Sequence, residues 1–337
     1  MLDYAVTQPP PIWFMRQAGR YLPEYREVRA KAGGFVELCL DPLSAAEVTL
    51  QPVRRFGIDA AIIFSDILIV PYALGVNLWF EEGEGPRLEP VNDRGTFERM
   101  RRKLNTNITG RVYEAIGSVR VALDANVALI GFCGAPWTVA TYLIAGRGTE
   151  NQAPAKRLMR SDDALFSEII DRLVDATAAH LIGQIEAGAD VVQIFDTWAG
   201  ALDAWSFERF CVVPTAKIVA AVRAAKPEAR VIVFPNGVVL DGVARLVEAC
   251  GADAVSLDAG TDRKQARERI GSSCALQGNL APETLVAGGV ALDQEIDQIL
   301  DDFRGTRHIF NLGHGILKET PIKHVEQMIA RVRREAG

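Results

Sequence analysis

Cysteine is sparse in this chain, and its pattern is unhelpful to a metal or a disulfide. Five cysteines lie scattered over 337 residues, at 39, 133, 211, 250 and 274, with no CxxC pair and no zinc spacing. An odd, dispersed set argues against a disulfide scaffold and reads as reduced thiols in a cytoplasmic protein. Positive charge is in deficit: 37 Lys and Arg stand against 43 Asp and Glu, a formal net charge of -6. General nucleic-acid affinity is therefore not expected, and an anionic ligand would need a local basic patch set against the overall field. No apolar run approaches the length of a membrane span. The opening Met1-Leu2-Asp3-Tyr4 has neither the basic nor the apolar region of a secretory signal. Neither GxGxxG nor GxxxxGK[ST] occurs, which weakens an open nucleotide-binding sheet. Also missing are HExxH, a cysteine–histidine cluster and a serine elbow, so the chemistry is expected to need no metal and no covalent nucleophile.

What the chain does have is a repeated phrase. Gly57-Ile58-Asp59 opens an apolar run that ends on Asp66; Gly188-Ala189-Asp190 opens one ending on Asp196; Gly251-Ala252-Asp253 opens one ending on Asp258. Unbroken apolar runs of this length fit strands buried on both faces, as in a parallel sheet sheathed by helices. Strands are expected at 59–64, 128–132, 190–195, 230–234, 253–257, 274–276 and 307–310. Helices are expected between them, at 42–56, at 96–123 with a break near 105–107, and at 137–145, 162–187, 203–225, 240–249, 262–269, 292–303 and 321–334. Residues 76–88, around Gly83-Glu84-Gly85-Pro86, read as a hairpin or flap. Seven β-α units without a linker or a break in composition predict an α/β fold. The expected form is a single, distorted (β/α)8 TIM-like barrel over 1–337 with an irregular, proline-rich lead-in at 1–12. The eighth strand is the least visible, and 76–80 is its best candidate.

In such barrels the carboxyl ends of the strands form the ligand site. Those ends carry Ser65-Asp66, Phe132-Cys133-Gly134, Asp196-Thr197-Trp198, Gln277-Gly278-Asn279 and Asn311-Leu312-Gly313-His314-Gly315. Each polar candidate has a plain structural alternative. Asp66 suits either a site or a helix cap, Asp196 and Thr197 lean toward caps, and Tyr142 on a helix is commonly packing. His314 between two glycines favours a site, whereas His180, His308 and His324 read as structural or surface residues, and Cys133 as a small core residue. The segment 16–31 holds five basic residues (16, 20, 26, 29, 31) and two acidic ones (24, 27), a local excess of three positive charges. Arg16 and Arg20 would share a face if the turn were helical, although Gly19 makes a loop equally suitable. The aromatic and apolar residues between them suit cations facing a planar anion.

Five stretches, taken together, resemble one family. They are Met15-Arg16-Gln17-Ala18-Gly19-Arg20-Tyr21-Leu22-Pro23, Ile62-Ile63-Phe64-Ser65-Asp66-Ile67-Leu68, Gly131-Phe132-Cys133-Gly134-Ala135-Pro136-Trp137-Thr138, Gln277-Gly278-Asn279-Leu280 and Asn311-Leu312-Gly313-His314-Gly315. In one order, from about residue 11 to near the C-terminus, they are similar to the uroporphyrinogen decarboxylase family. The resemblance implies a distorted (β/α)8 barrel, usually a homodimer, acting in tetrapyrrole biosynthesis without a cofactor. It implies loss of carbon dioxide from the four acetate side chains of uroporphyrinogen III to give coproporphyrinogen III. It also implies a catalytic set of Asp66, Arg16, Tyr142 and His314, and substrate contacts from Arg16, Gln17, Ala18, Gly19, Arg20, Asp66, Tyr142, Thr197 and His314. Position 197 is Thr where many members carry Ser. The hydroxyl is kept, but its rotamers are narrowed. The alternatives are a barrel methyltransferase of the same superfold, using zinc held by cysteine and histidine, and a non-catalytic tetrapyrrole carrier.

Overall fold

The structure, a computed structural model, describes residues 6–81 and 85–334. Seven strands pair in parallel and in chain order: β1 (Ala60–Ile62), β4 (Ala128–Gly134), β5 (Val191–Asp196), β6 (Arg230–Pro235), β7 (Ala254–Ser256), β8 (Ala275–Gln277) and β9 (His308–Ile309). β2 (Leu78–Glu81) and β3 (Gly85–Leu88) form a separate antiparallel hairpin. Residues 76–80 therefore do not supply the eighth strand; they leave the sheet after β1 and build that hairpin. Its expected tip at 83–84 lies outside the described residues.

The eighth stave comes from the proline-rich lead-in. Ile12 bridges Phe310 in parallel, the Phe310 N–H donates to the Pro11 carbonyl at 2.9 Å, and the Asp59 N–H donates to the Ile12 carbonyl at 2.9 Å. The Gly-x-Asp repeat shows why this counts as a strand position. The Asp190 N–H donates to the Leu129 carbonyl while its Oδ2 accepts the Leu129 N–H at 2.7 Å. Asp253 treats Val231 in the same way, at 2.9 Å for both bonds. Asp59 takes the Ile12 N–H on Oδ2 at 2.7 Å, so Ile12 stands in its stave where Leu129 and Val231 stand in theirs. The curled sheet thus closes on itself through residues 11–13, giving the distorted barrel.

Local chemistry sets the helices. Asp41 accepts the Ser44 N–H at 2.9 Å, Pro42 occupies the first turn, and Gly57 at a φ of 60° ends the helix Pro42–Phe56. The expected break near 105–107 falls between helices Arg94–Arg99 and Thr106–Ala122, where Asn105 caps the second. A further helix, Ala153–Ser161, with proline in its first turn, precedes the long one. Inside the ring, Trp13, Ala60, Ile62, Ile130, Val191 and Ile232 belong to one buried cluster. A polar layer crosses it: Trp13 Nε1 donates to Gln277 Oε1 at 3.0 Å, and Gln277 Nε2 donates to Ser256 Oγ at 3.1 Å. The interior is filled, so ligand space lies at the strand ends.

Candidate active site

A cavity of about 1110 Å³ opens at the carboxyl ends of the strands. It exceeds the roughly 300–1,000 Å³ of ordinary small-molecule pockets, so it has room for a large ligand. Ile62, Phe132, Phe195 and Phe234 point inward from β1, β4, β5 and β6 and make an apolar floor. Phe195 meets Phe132 and Phe234 edge to face, with ring centres 5.6 and 6.1 Å apart.

The three strand-end carboxylates, alike in sequence, have three fates. Asp258 builds a turn, accepting from the Gly237 and Gly260 N–H groups at 2.8 and 3.0 Å. Asp196 is turned into the protein, where its Oδ1 accepts the Thr138 hydroxyl at 2.6 Å; it caps no following helix. Only Asp66 lines the cavity. Its Oδ1 accepts the Leu68 N–H at 2.8 Å, a cap-like turn, and no hydrogen bond engages Oδ2 among the described residues. The cap and the site readings are both met, one by each oxygen. Burial pushes the Asp66 carboxyl above its ordinary range, while the Leu68 N–H and the Arg16 charge hold it down.

Arg16, Arg20, Arg29 and Lys318 supply positive charge to the cavity wall. The side chains of Arg16 and Arg20 make no hydrogen bond or ion pair among the described residues, whereas many of the chain's other arginines, such as Arg54, Arg55 and Arg94, hold an acidic partner. Neither arginine is helical; Arg16 has a φ of 61°, and the helix begins only at Pro23. The backbone of this turn is pinned from both sides: the Met15 N–H donates to Asn311 Oδ1 at 3.1 Å, and the Ile316 N–H donates to the Met15 carbonyl at 3.0 Å. Gln17 departs from expectation. Its side chain is fully buried away from the cavity, with Nε2 donating to the Ala60 carbonyl at 3.0 Å and Oε1 accepting the Phe14 N–H at 3.2 Å. It holds the arginine turn to β1, so its side chain is structural. Ala18 and Gly19 do line the cavity.

Tyr142, Thr197 and His314 complete the wall. Tyr142 projects from helix Pro136–Ala145, which the proline-started elbow after β4 aims across the mouth. Burial pushes its hydroxyl pKa up, so it stays protonated. Thr197 caps no helix, and its hydroxyl makes no hydrogen bond among the described residues. His314 Nδ1 accepts the Gly315 N–H at 2.7 Å, which leaves the neutral ring's proton on Nε2. Burial, helped by the Arg16 charge, lowers the His314 pKa. The other histidines are structural, as expected: His180 sits 3.2 Å from the Tyr113 hydroxyl and His308 2.7 Å from the Gly278 carbonyl, and burial brings both to a pKa of about 4. Arg29 and Lys318 carried no specific signal in the sequence. Arg29 was one of several basic residues in its segment, and Lys318 lies two residues after Ile316, whose N–H donates to the Met15 carbonyl.

Asp196 provides a test that is independent of catalysis. It is 5% exposed, and burial lifts its carboxyl from 3.8 to about 6 against the hydrogen bonds from Thr138 and Cys211. The folded state then binds a proton that the unfolded state releases near pH 4. Stability from this group is present below pH 4, falls as pH rises from about 4 to 6, and is gone at pH 7, a difference of roughly 3 kcal/mol. Asp196→Asn is expected to raise stability at pH 7 and to flatten its decline between pH 4 and 6. Urea unfolding of both proteins at pH 4.5, 5.5 and 7 measures this. Parallel curves would mean that Asp196 titrates normally.

A closed parallel barrel whose mouth sets the Asp66 carboxylate and the His314 imidazole beside two guanidinium groups, Arg16 and Arg20, without an acidic partner among the described residues defines a barrel enzyme with its site at the strand ends. The family model described as Uroporphyrinogen decarboxylase (URO-D) matches residues 1–335. The chain belongs to the uroporphyrinogen decarboxylase family. It is 51% identical over 327 residues to the uroporphyrinogen decarboxylase of Sphingopyxis alaskensis, covering 96% of this chain and 94% of that one. Identity to the uroporphyrinogen decarboxylase of Brucella anthropi is 50% over 337 residues, covering 99% and 97%. Among solved structures, a methyltransferase from Methanosarcina mazei superposes with a TM-score of 0.76 at 20% identity, covering 98% of this chain and 95% of that one. A B12-independent methionine synthase from Shewanella sp. W3-18-1 gives 0.55 at 8% identity, covering 86% and 85%. Those two likenesses concern the fold.

Proposed function

We propose that this chain is a carboxy-lyase that converts uroporphyrinogen III to coproporphyrinogen III by decarboxylating its four acetate side chains, with no cofactor. The observation that carries the reading is Asp66, with one oxygen open to a large cavity also lined by Arg16 and Arg20, neither of which has an acidic partner among the described residues. Relatives named for this activity, about 50% identical over nearly the full length, favour it over a methyltransferase.

Each turnover exchanges carbon dioxide for a proton. Protonating the pyrrole carbon beside an acetate makes the ring a cation. The bond between the methylene and the carboxylate then breaks, and its electron pair flows into that ring. Protonation of the exocyclic carbon gives the methyl group, and loss of the ring proton restores the pyrrole. Asp66 is assigned to the inward-facing pyrrole N–H groups, where a fixed negative charge in a dry, low-dielectric site stabilises the cation. Because all four rings turn their N–H groups to the centre, one carboxylate serves four successive reactions. Arg16 and Arg20, with Arg29 and Lys318, are assigned to the acetates and propionates that are not reacting. Gripping the reacting carboxylate would stabilise the ground state and oppose its loss. His314 is assigned a hydrogen bond from Nε2, since its lowered pKa leaves little imidazolium at neutral pH. Tyr142 and the Thr197 hydroxyl are assigned to the substrate's edge. We further read the chain as one domain, a homodimer working in the cytoplasm.

Incubation with uroporphyrinogen III in the absence of oxygen, followed by chromatography of the products, tests the assignment. Products with seven, six, five and finally four carboxyls are expected. Binding without any change in the substrate would indicate a carrier, and turnover dependent on added zinc or a corrinoid would indicate a methyltransferase-like catalyst.

A further inference from the structure

The loop that carries His314 and the turn that carries Arg16 are tied together in a way the reaction alone does not require. A Cβ placed on Gly315 would lie 2.4 Å from Arg16 Cδ and 2.9 Å from both Cγ and Nε. Real contacts of that kind do not occur, so the stem of Arg16 runs directly across the bare Cα of Gly315. The following residue fixes the arrangement, because the Ile316 N–H donates to the Met15 carbonyl at 3.0 Å. The preceding one is fixed too, through the Gly315 N–H to His314 Nδ1 at 2.7 Å. From the other side, Asn311 Oδ1 accepts the Met15 N–H at 3.1 Å. Between these ties Arg16 adopts a φ of 61°, a left-handed conformation costly for a residue with a side chain.

We infer that Gly315 is a positioning residue for Arg16: its missing side chain is the saddle over which the guanidinium reaches the cavity. Nothing about Gly315's own backbone asks for glycine, since its φ lies outside the left-handed region. The three atoms nearest to such a Cβ all belong to the Arg16 side chain. The same peptide segment therefore sets two cavity groups at once, the Nε2 donor of His314 and the guanidinium of Arg16. A side chain at 315 displaces one of them while leaving Asp66 in place. The catalytic half of this inference rests on the decarboxylase reading; the steric half does not.

A double-mutant cycle tests it, with activity and thermal unfolding measured on the full chain. Gly315→Ala is expected to lower kcat/KM about 10- to 100-fold, close to the loss from Arg16→Ala, as fits removal of one charge-assisted contact. It is also expected to lower the melting temperature. In Gly315→Ala/Arg16→Ala the three atoms nearest to the new Cβ, Arg16 Cδ, Cγ and Nε, are gone. The double variant should match Arg16→Ala within about twofold in kcat/KM and regain its melting temperature. Losses that multiply, or a melting temperature that stays depressed in the double variant, would overturn the inference. If Gly315→Ala alone fails to fold, a folded double variant supports the saddle and an unfolded one refutes it. A wild-type chain without activity on uroporphyrinogen would remove the decarboxylase reading, and the melting temperatures would still decide the steric claim.

Discussion

Asp66→Asn is expected to cut kcat by at least about 10²- to 10³-fold while leaving the fold intact or slightly more stable. The magnitude is that of losing one preorganised electrostatic partner in a water-poor site. The sign of the stability change follows from the carboxylate's surroundings. Burial already raises its pKa, so the charged form is penalised in the folded state, and the amide removes the penalty. Asn can still accept the Leu68 N–H that Oδ1 accepts at 2.8 Å, so the turn into helix Ile69–Ala73 survives. What it loses is the negative charge that the cationic ring requires. Single-turnover decarboxylation together with thermal unfolding measures both effects. A variant with near-normal turnover would take Asp66 out of the chemistry, and one that unfolds would recast it as a structural cap. The raised pKa of Asp66 sets an expected pH dependence. If the carboxylate form is the active one, turnover falls as pH drops through a pKa higher than that of an ordinary aspartate. Asp66→Asn should abolish that limb.

How much of this was legible beforehand depends on whether the controlling interaction is local in sequence. Helix Pro42–Phe56 was readable to the residue because its signals, the Asp41 cap, the first-turn Pro42 and the terminal Gly57, lie in it or directly beside it. The barrel strands were readable as apolar runs, three of them opened by Gly-x-Asp. The eighth stave was not, since residues 11–13 are recognised as a strand only by partners some 50 and 300 residues away, Asp59 and Phe310. The hairpin at 78–88 looked as much like a strand as anything in the barrel, and its exclusion is a matter of tertiary pairing. The site shows the same division. Asp66, Asp196 and Asp258 close the same phrase in the sequence, and only packing separates a cavity carboxylate from a buried one and a turn-former. Gln17 sits between two alanine- and arginine-bearing positions of the motif, yet it points into the core because β1 offers the Ala60 carbonyl as its partner. Tyr142 on its helix and Thr197 and His314 at strand ends all line the cavity, Thr197 without the cap expected of it, and for His314 the structure adds where the ring proton sits. A histidine flanked by glycines does not announce that the next N–H will fix its tautomer.

Arg20→Ala carries the second large expected effect, on binding instead of turnover. Arg20 lines the cavity without an acidic partner among the described residues. A ligand carboxylate would then meet a guanidinium that has no intramolecular bond to break, and a bidentate pair of this type contributes about 1.5–3 kcal/mol. KM is expected to rise roughly 10- to 100-fold with kcat changed little, because an arginine on a non-reacting carboxylate holds ground state and transition state alike. The same argument sets the salt dependence. Attraction between a polyanion and exposed cations weakens as ions screen it, so log KM of the wild type should climb with ionic strength. Removing one cation should make that climb shallower. Arg54→Ala is a suitable control: its guanidinium already pairs with Glu47 at 2.8 Å on a helix outside the cavity, so neither KM nor its salt slope should move. A KM that stays put in Arg20→Ala, or a salt slope equal to that of the wild type, would return Arg20 to the protein surface. The anionic periphery would then rest on Arg16, Arg29 and Lys318. Because the net charge of the chain is -6, the overall field repels such a ligand. The affinity must come from these few side chains at the barrel mouth, which is why deleting one should be felt so strongly.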